Sequence, residues 1–176
     1  MSKQAATVFV VDDEESIRKS LTRLLQSAGL EVKSFASPGE YLDANNAATP
    51  GCIVLDISMP GFDGLSLQRT MAGDPCARPI IFLTGTGDIP MSVQAMKAGA
   101  VDFLTKPVDA ECLLTAIHVA IEKDARVRRS RAEIESIESR LATLTPRERE
   151  VLELVVSGNL NKQIAGDLGT VENTIK

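Results

Sequence analysis

Three short runs constrain this chain most: Val8-Phe-Val-Val11, Cys52-Ile-Val-Leu55 and Ile80-Ile-Phe-Leu83. Each is apolar without alternation, as strands are when both faces of their sheet are covered. Two weaker runs, Val32 to Phe35 and Val101 to Thr105, bring the expected strands to five. Helical segments lie between them. Glu15 to Ala28 is apolar at 17, 21, 24, 25 and 28 and closes on Gly29. Ser37-Pro38-Gly39-Glu40 reads as a capping box with proline at the first helical position. A helix is expected from Gly64 to Met71, and another from an Asp88 cap to Ala98, ended by Gly99. Strands and helices alternating over about 120 residues specify a doubly wound α/β domain with a parallel sheet.

The remaining length bounds the rest. The chain has 176 residues, enough for one ordinary domain plus something small, and 44% are hydrophobic against 24% charged, which suits a folded chain. There is no apolar run of membrane-spanning length and no signal-peptide pattern, so a cytoplasmic, membrane-free protein is expected. Cys52, Cys76 and Cys112 lack metal-site spacing and read as thiols in a reducing compartment. His118 is the single histidine, which excludes a histidine dyad or a histidine-rich metal site. Residues 1–122 carry 9 Lys/Arg and 15 Asp/Glu, net −6; residues 123–176 carry 10 and 9, net +1. That balance argues against a general nucleic-acid binder, while leaving room for contact by a small C-terminal element.

Chemistry concentrates where the strands end. The first strand runs into Asp12-Asp13, the third into Asp56, the fourth into Thr84 and the fifth into Lys106. In a doubly wound sheet the carboxyl ends of the strands share one crevice. Any one strand-end aspartate is ordinarily a cap or a turn residue; five such groups at successive strand ends are not. Two carboxylates about 4 Å apart repel by roughly 4 kcal/mol at an effective dielectric near 20, so three together raise their pKa values or recruit a cation. Hard oxygen donors suit Mg²⁺ or another divalent cation. Cation, lysine and hydroxyl together are an inventory for holding a phosphoryl group. No glycine-rich phosphate loop follows the first strand, which disfavours nucleotide binding. A carboxylate can itself be the nucleophile of phosphoryl transfer, and Asp56 is the central candidate.

Val10-Val-Asp-Asp13, Val54-Leu-Asp-Ile-Ser-Met-Pro-Gly-Phe-Asp-Gly64, Phe82-Leu-Thr-Gly85 and Lys97-Ala-Gly-Ala-Val-Asp-Phe-Leu-Thr-Lys-Pro107 resemble the receiver domain of bacterial two-component response regulators, of the FixJ type, over about residues 5–122. The resemblance implies a flavodoxin-like sheet in the order 2-1-3-4-5. It implies that Asp56 accepts phosphate from a sensor histidine kinase, with Asp13, Asp56 and the Ser58 backbone carbonyl on Mg²⁺ and Asp12 acting mostly through water. Lys106 would pair with the phosphoryl group, Thr84 would turn its hydroxyl to it, and Phe103 would follow as an aromatic switch. It further implies a cis Lys106-Pro107 peptide and a homodimer formed on phosphorylation.

Beyond Pro107 there is no glycine or proline until Pro146, so residues 110 to about 142 are expected to form one helix, capped by Asp109. Ile134, Ile137, Leu141 and Leu144 make a short heptad stripe, readable as a solvated linker or as a short dimerising coiled coil. Thr145-Pro-Arg-Glu148 is a capping box, followed by a helix to Gly158, a second short helix capped by Asn161 and ended by Gly169, and a third starting at Thr170. Residues 144–176 resemble the LuxR/GerE-type helix-turn-helix domain, which implies promoter-DNA contact near Glu172, Asn173 and Lys176. The sequence ends inside that third helix, and residues 146–176 carry 4 basic and 5 acidic groups; the expectation is a truncated form with weak or no specific DNA binding.

The expected organisation is a receiver over 1–122, a helical linker over 123–143 and a partial DNA-binding domain over 144–176. The expected function is a phosphorylation-controlled transcriptional regulator and not a metabolic enzyme. A signalling adaptor that acts without DNA is the alternative. A Mg²⁺-dependent phosphatase resembling haloacid dehalogenases is a third reading, disfavoured because the adjacent Asp12-Asp13 pair and a third-strand Asp56 do not match an Asp-x-Asp nucleophile on the first strand.

Overall fold

The computed structural model describes residues 6–44, 48–59, 62–71, 73–74, 77–85 and 89–169. The chain divides between Arg128 and Arg129 into two compact units. The first contains β1 (Thr7–Val11), α1 (Glu15–Ser27), β2 (Glu31–Phe35), α2 (Pro38–Ala44), β3 (Gly51–Asp56), β4 (Ser58–Met59), β5 (Phe62–Asp63), α3 (Gly64–Met71), β6 (Ile80–Thr84), α4 (Ile89–Lys97), β7 (Asp102–Thr105) and the start of α5 (Ala110–Ala142). The second contains the remainder of α5, then α6 (Pro146–Val156) and α7 (Asn161–Asp167).

Five strands form one parallel sheet in the order β2-β1-β3-β6-β7. With the short β4–β5 hairpin set aside, this is the 2-1-3-4-5 order the sequence led us to expect. Every residue of β1, β3 and β6 is buried, and the side chains alternate between two cores. Phe9, Val11, Ile53, Leu55 and Phe82 pack with Tyr41 and Leu67 on one face. Val8, Val10, Val54, Ile81 and Leu83 pack with Leu21, Leu25, Leu113 and Ile117 on the other. Burial on both faces is why these strands lack the polar alternation of a one-sided sheet.

The strands start as tightly as they end. A Cβ on Gly51, whose φ is +149°, would lie 1.8 Å from the Thr7 carbonyl oxygen, so the β1–β3 pairing requires glycine there. The Gly51 N–H donates to Asp124 Oδ2 of α5 at 2.9 Å, and Arg128 Nε holds the same oxygen at 2.7 Å. Arg128 also donates to the Ala48 and Thr49 carbonyls. Arg78 donates to the Thr49 carbonyl and the Tyr41 hydroxyl and lies over the Phe9 ring at 4.2 Å. These bonds carry α5 down to Arg128 as part of the first unit.

Several local expectations hold, and two shift. Helix α5 spans 33 residues, its first turn capped by Asp109 Oδ1 on the Cys112 N–H. Thr145 and Glu148 form the full capping box of α6. Ser37 Oγ caps the Glu40 N–H, but the Glu40 carboxylate accepts from Ala36 instead of Ser37. Asn161 is not a cap: α7 begins with it, Leu160 occupies the cap position, and Gln163 Oε1 accepts the Leu160 N–H. The glutamine three residues on supplies the side-chain bond that Leu160 lacks. The β4–β5 hairpin was not foreseen. Asp88 and the third helix from Thr170 lie outside the described residues. Among the described residues no helix is long and apolar enough to cross a membrane.

Candidate functional site

Parallel pairing in register delivers the strand ends to one edge. Val11 faces Leu55, Asp56 faces Leu83 and Thr84 faces Thr105, so Asp12, Asp56, Thr84 and Lys106 follow one another across the sheet. Asp12 and Asp56 are 1% and 4% exposed, Thr84 is buried and Asp13 is open to solvent. One carboxylate oxygen from each of Asp12, Asp13 and Asp56 lies within 4.8 Å of the other two.

Lys106 binds two of these carboxylates. Its Nζ is 2.7 Å from Asp12 Oδ2 and 3.0 Å from Asp56 Oδ2. Burial opposes the ammonium charge, but the bonds to Asp12 and Asp56 outweigh it and raise the lysine pKa above its ordinary value. The Lys106 N–H donates to the Thr84 carbonyl at 2.6 Å, and the following bond to Pro107 is cis. Both Asp12 oxygens are engaged, because Oδ1 accepts the Glu14 N–H at 2.8 Å. Asp56 Oδ1 accepts the Ser58 N–H at 3.2 Å.

Phe103 is half-buried, beside Phe82 at a centroid distance of 6.2 Å. Strand register explains the neighbour, since Phe82 and Phe103 are paired across β6 and β7. The structure therefore gathers Asp12, Asp13, Asp56, Thr84 and Lys106 at one edge, with Ser58 adjoining Asp56. Glu172, Asn173 and Lys176 lie outside the described residues.

Three contributors escaped sequence reasoning. Arg18 on α1 donates to the Asp12 carbonyl at 2.6 Å. Gly64 opens α3 so close to β3 that a Cβ there would stand 3.1 Å from the Asp56 carbonyl oxygen. A groove of about 560 Å³ opens beside the cluster, lined by Glu14, Ile17, Leu21, Leu83, Gly85 and Lys106 among others. The helical spacing of Ile17 and Leu21 pointed only to core.

The donor set fits a hard divalent cation: three carboxylates, with no histidine or cysteine in the cluster. Two oxygens held by one Mg²⁺ at about 2.1 Å lie at most about 4.2 Å apart. Asp12 and Asp56 each have both oxygens engaged in these bonds, and Asp13 is the solvent-open member of the three.

Comparison with known proteins agrees with this geometry. Residues 8–118 match the response regulator receiver domain, and residues 142–176 match the bacterial regulatory proteins of the luxR family. The chain is 47% identical over 171 residues to Nodulation protein W of Bradyrhizobium diazoefficiens, covering 97% of this chain and 75% of that protein. It is 39% identical over 173 residues to the transcriptional regulatory protein FixJ of Azorhizobium caulinodans, covering 98% and 82%. Among solved structures, the response regulator StyR superposes with a TM-score of 0.88 at 44% identity, covering 97% of this chain and 86% of that one. Full-length FixJ from B. japonicum gives 0.63 at 41%, covering 97% and 84%. This chain belongs to the response regulators, with a receiver domain followed by a LuxR-type DNA-binding domain.

Proposed function

We propose that the Asp56 carboxylate is the phosphoacceptor of a two-component relay and that its phosphorylation controls transcription. In this step an Asp56 oxygen forms the bond to phosphorus, the N–P bond of a kinase phosphohistidine breaks, and the leaving imidazole takes up a proton. The observation that carries the reading is Lys106 Nζ, which touches Asp56 inside a cluster of three carboxylates.

Asp13, Asp56 and the Ser58 carbonyl would hold Mg²⁺ or another divalent cation, with Asp12 reaching it through water; the ion supplies charge neutralisation for the cluster and the incoming phosphoryl oxygens. Lys106 supplies a fixed positive charge at the acceptor, and the Thr84 hydroxyl would turn toward a phosphoryl oxygen. The new charge of about −1.5 to −2 draws Thr84 inward, and Phe103 follows into the space Thr84 vacates. The apolar groove beside Lys106 is where the phosphodonor protein would lie.

The consequence of the switch is dimerisation. Ile89, Val93 and Met96 are exposed on α4 at i, i+4 and i+7, an apolar stripe adjoining β7. In this scheme residues 1–122 receive the signal, 123–143 relay it and 144 onward form the output, with promoter contacts at Glu172, Asn173 and Lys176. The protein would work in the cytoplasm and turn over no metabolite.

The test is incorporation of acid-labile phosphate from acetyl phosphate with Mg²⁺. The native chain is expected to take up close to one equivalent and Asp56→Asn only background. Equal uptake by both would refute the assignment.

A further inference from the structure

Beyond Arg128, α5 exposes Ile134, Ile137 and Leu141, the two isoleucines to 54%. They stand at i, i+3 and i+7, on one helix face. Val127 lies seven residues before Ile134 and Leu144 seven after Ile137. In heptad terms Val127, Ile134 and Leu141 are a positions and Ser130 and Ile137 are d positions, while Leu144 continues the spacing two residues past the end of α5. An exposed apolar seam on an otherwise charged helix is complementary to a second helix.

The flanking charges choose the direction. Arg131 and Glu138 take e positions; Arg126, Glu133 and Arg140 take g positions. A parallel in-register pair sets each g residue against the next e residue of its partner. Arg126 would then oppose Arg131 and Glu133 would oppose Glu138, like charges in every case. An antiparallel pair centred on Ile134 against Ile137 sets g against g and e against e. Glu133 then opposes Arg140 and Arg131 opposes Glu138, each twice by symmetry, and every pair attracts.

Side-chain size gives the same answer. Antiparallel packing puts Leu141 against Ser130, large on small, whereas parallel packing stacks Ser130 on Ser130. A groove of about 470 Å³ lined by Ile137, Leu141, Leu144 and Leu152 extends this face onto α6. The small Ser130 of the second copy is the residue that arrives there.

We propose that residues 127–142 of α5 pair antiparallel with the same segment of a second copy of this chain. The seam is only about two heptads long, so the association is weak and reversible. It uses a different surface from the α4 stripe and requires no phosphoryl group.

The test therefore uses the full chain carrying Asp56→Asn, so that no phosphorylation-driven dimer contributes. With Ser130→Cys and Leu141→Cys together, oxidation is expected to give a 130–141 intermolecular link, identified by peptide mapping, while Ser130→Cys alone does not link to itself. In sedimentation equilibrium, Glu133→Arg is expected to raise the dimer dissociation constant about tenfold. Adding Arg140→Glu is expected to restore it. These substitutions sit on an exposed helix face, and circular dichroism checks that each variant is folded. A 130–130 link, tighter association of Glu133→Arg, or a monomer at every concentration up to millimolar would overturn the proposal.

Discussion

Lys106 Nζ stands 3.0 Å from Asp56 Oδ2, so the proposed phosphoacceptor is ion-paired before any phosphoryl group arrives. The same ammonium lies 2.7 Å from Asp12 Oδ2. The lysine is thus a counter-charge for the resting acidic cluster and, in the proposed relay, would also pair with the phosphoryl group.

Lys106→Met is expected to cost about 3 kcal/mol, because it strands two buried carboxylates without their partner. Mg²⁺ is expected to recover part of that loss. Urea unfolding of both chains, with and without Mg²⁺, checks this: the ion should stabilise Lys106→Met more than the native chain.

The raised pKa of Lys106 gives a pH signature. A lysine charged more readily in the folded than in the unfolded chain stabilises fully below the unfolded value of about 10.4. That contribution is lost as pH rises through the higher folded value. Buried Cys52, pushed up to about 12 by burial and by the nearby Asp124 charge, destabilises the fold from about pH 8.5 upward, where the unfolded thiol ionises. The expected readout is therefore the difference between native and Lys106→Met stabilities, constant up to about pH 10 and shrinking above it.

The cysteines should separate by reactivity. Cys52 is buried with its thiol held neutral, whereas Cys112 is exposed. Asp109 raises the Cys112 pKa through its hydrogen bond and its charge, so even that thiol is less reactive than a free one. Iodoacetamide at pH 8 with peptide mapping is expected to label Cys112 slowly and Cys52 only in denaturant.

Asp124 holds the Gly51 N–H and the Arg128 guanidinium together. Asp124→Ala leaves a buried amide and an arginine without that acceptor and is expected to cost about 3 kcal/mol. Hydrogen exchange should show lost protection at Gly51 and along the last α5 turns before Arg129, and urea unfolding should show the stability loss.

Much of the fold could be read from local pattern. Val8–Val11, Cys52–Leu55 and Ile80–Leu83 declared a two-sided sheet because burial on both faces removes polar alternation. The 33-residue helix was visible because nothing between Pro107 and Pro146 interrupts it. The β4–β5 hairpin was not visible, since four paired residues leave no periodicity to detect. Asn161 misled because its type favours caps, while the cap bond came from Gln163.

The residue types at the strand ends, and hence an acidic, lysine-bearing crevice, followed from sequence order alone, because parallel strands place their carboxyl ends on one edge. Which oxygens Lys106 engages, and that Asp124 and Arg128 are fastened to the start of β3 instead of lying on a solvated linker, came only from tertiary structure. Those bonds join residues 50 to 94 positions apart, and no local pattern encodes a bond between groups that only packing brings together.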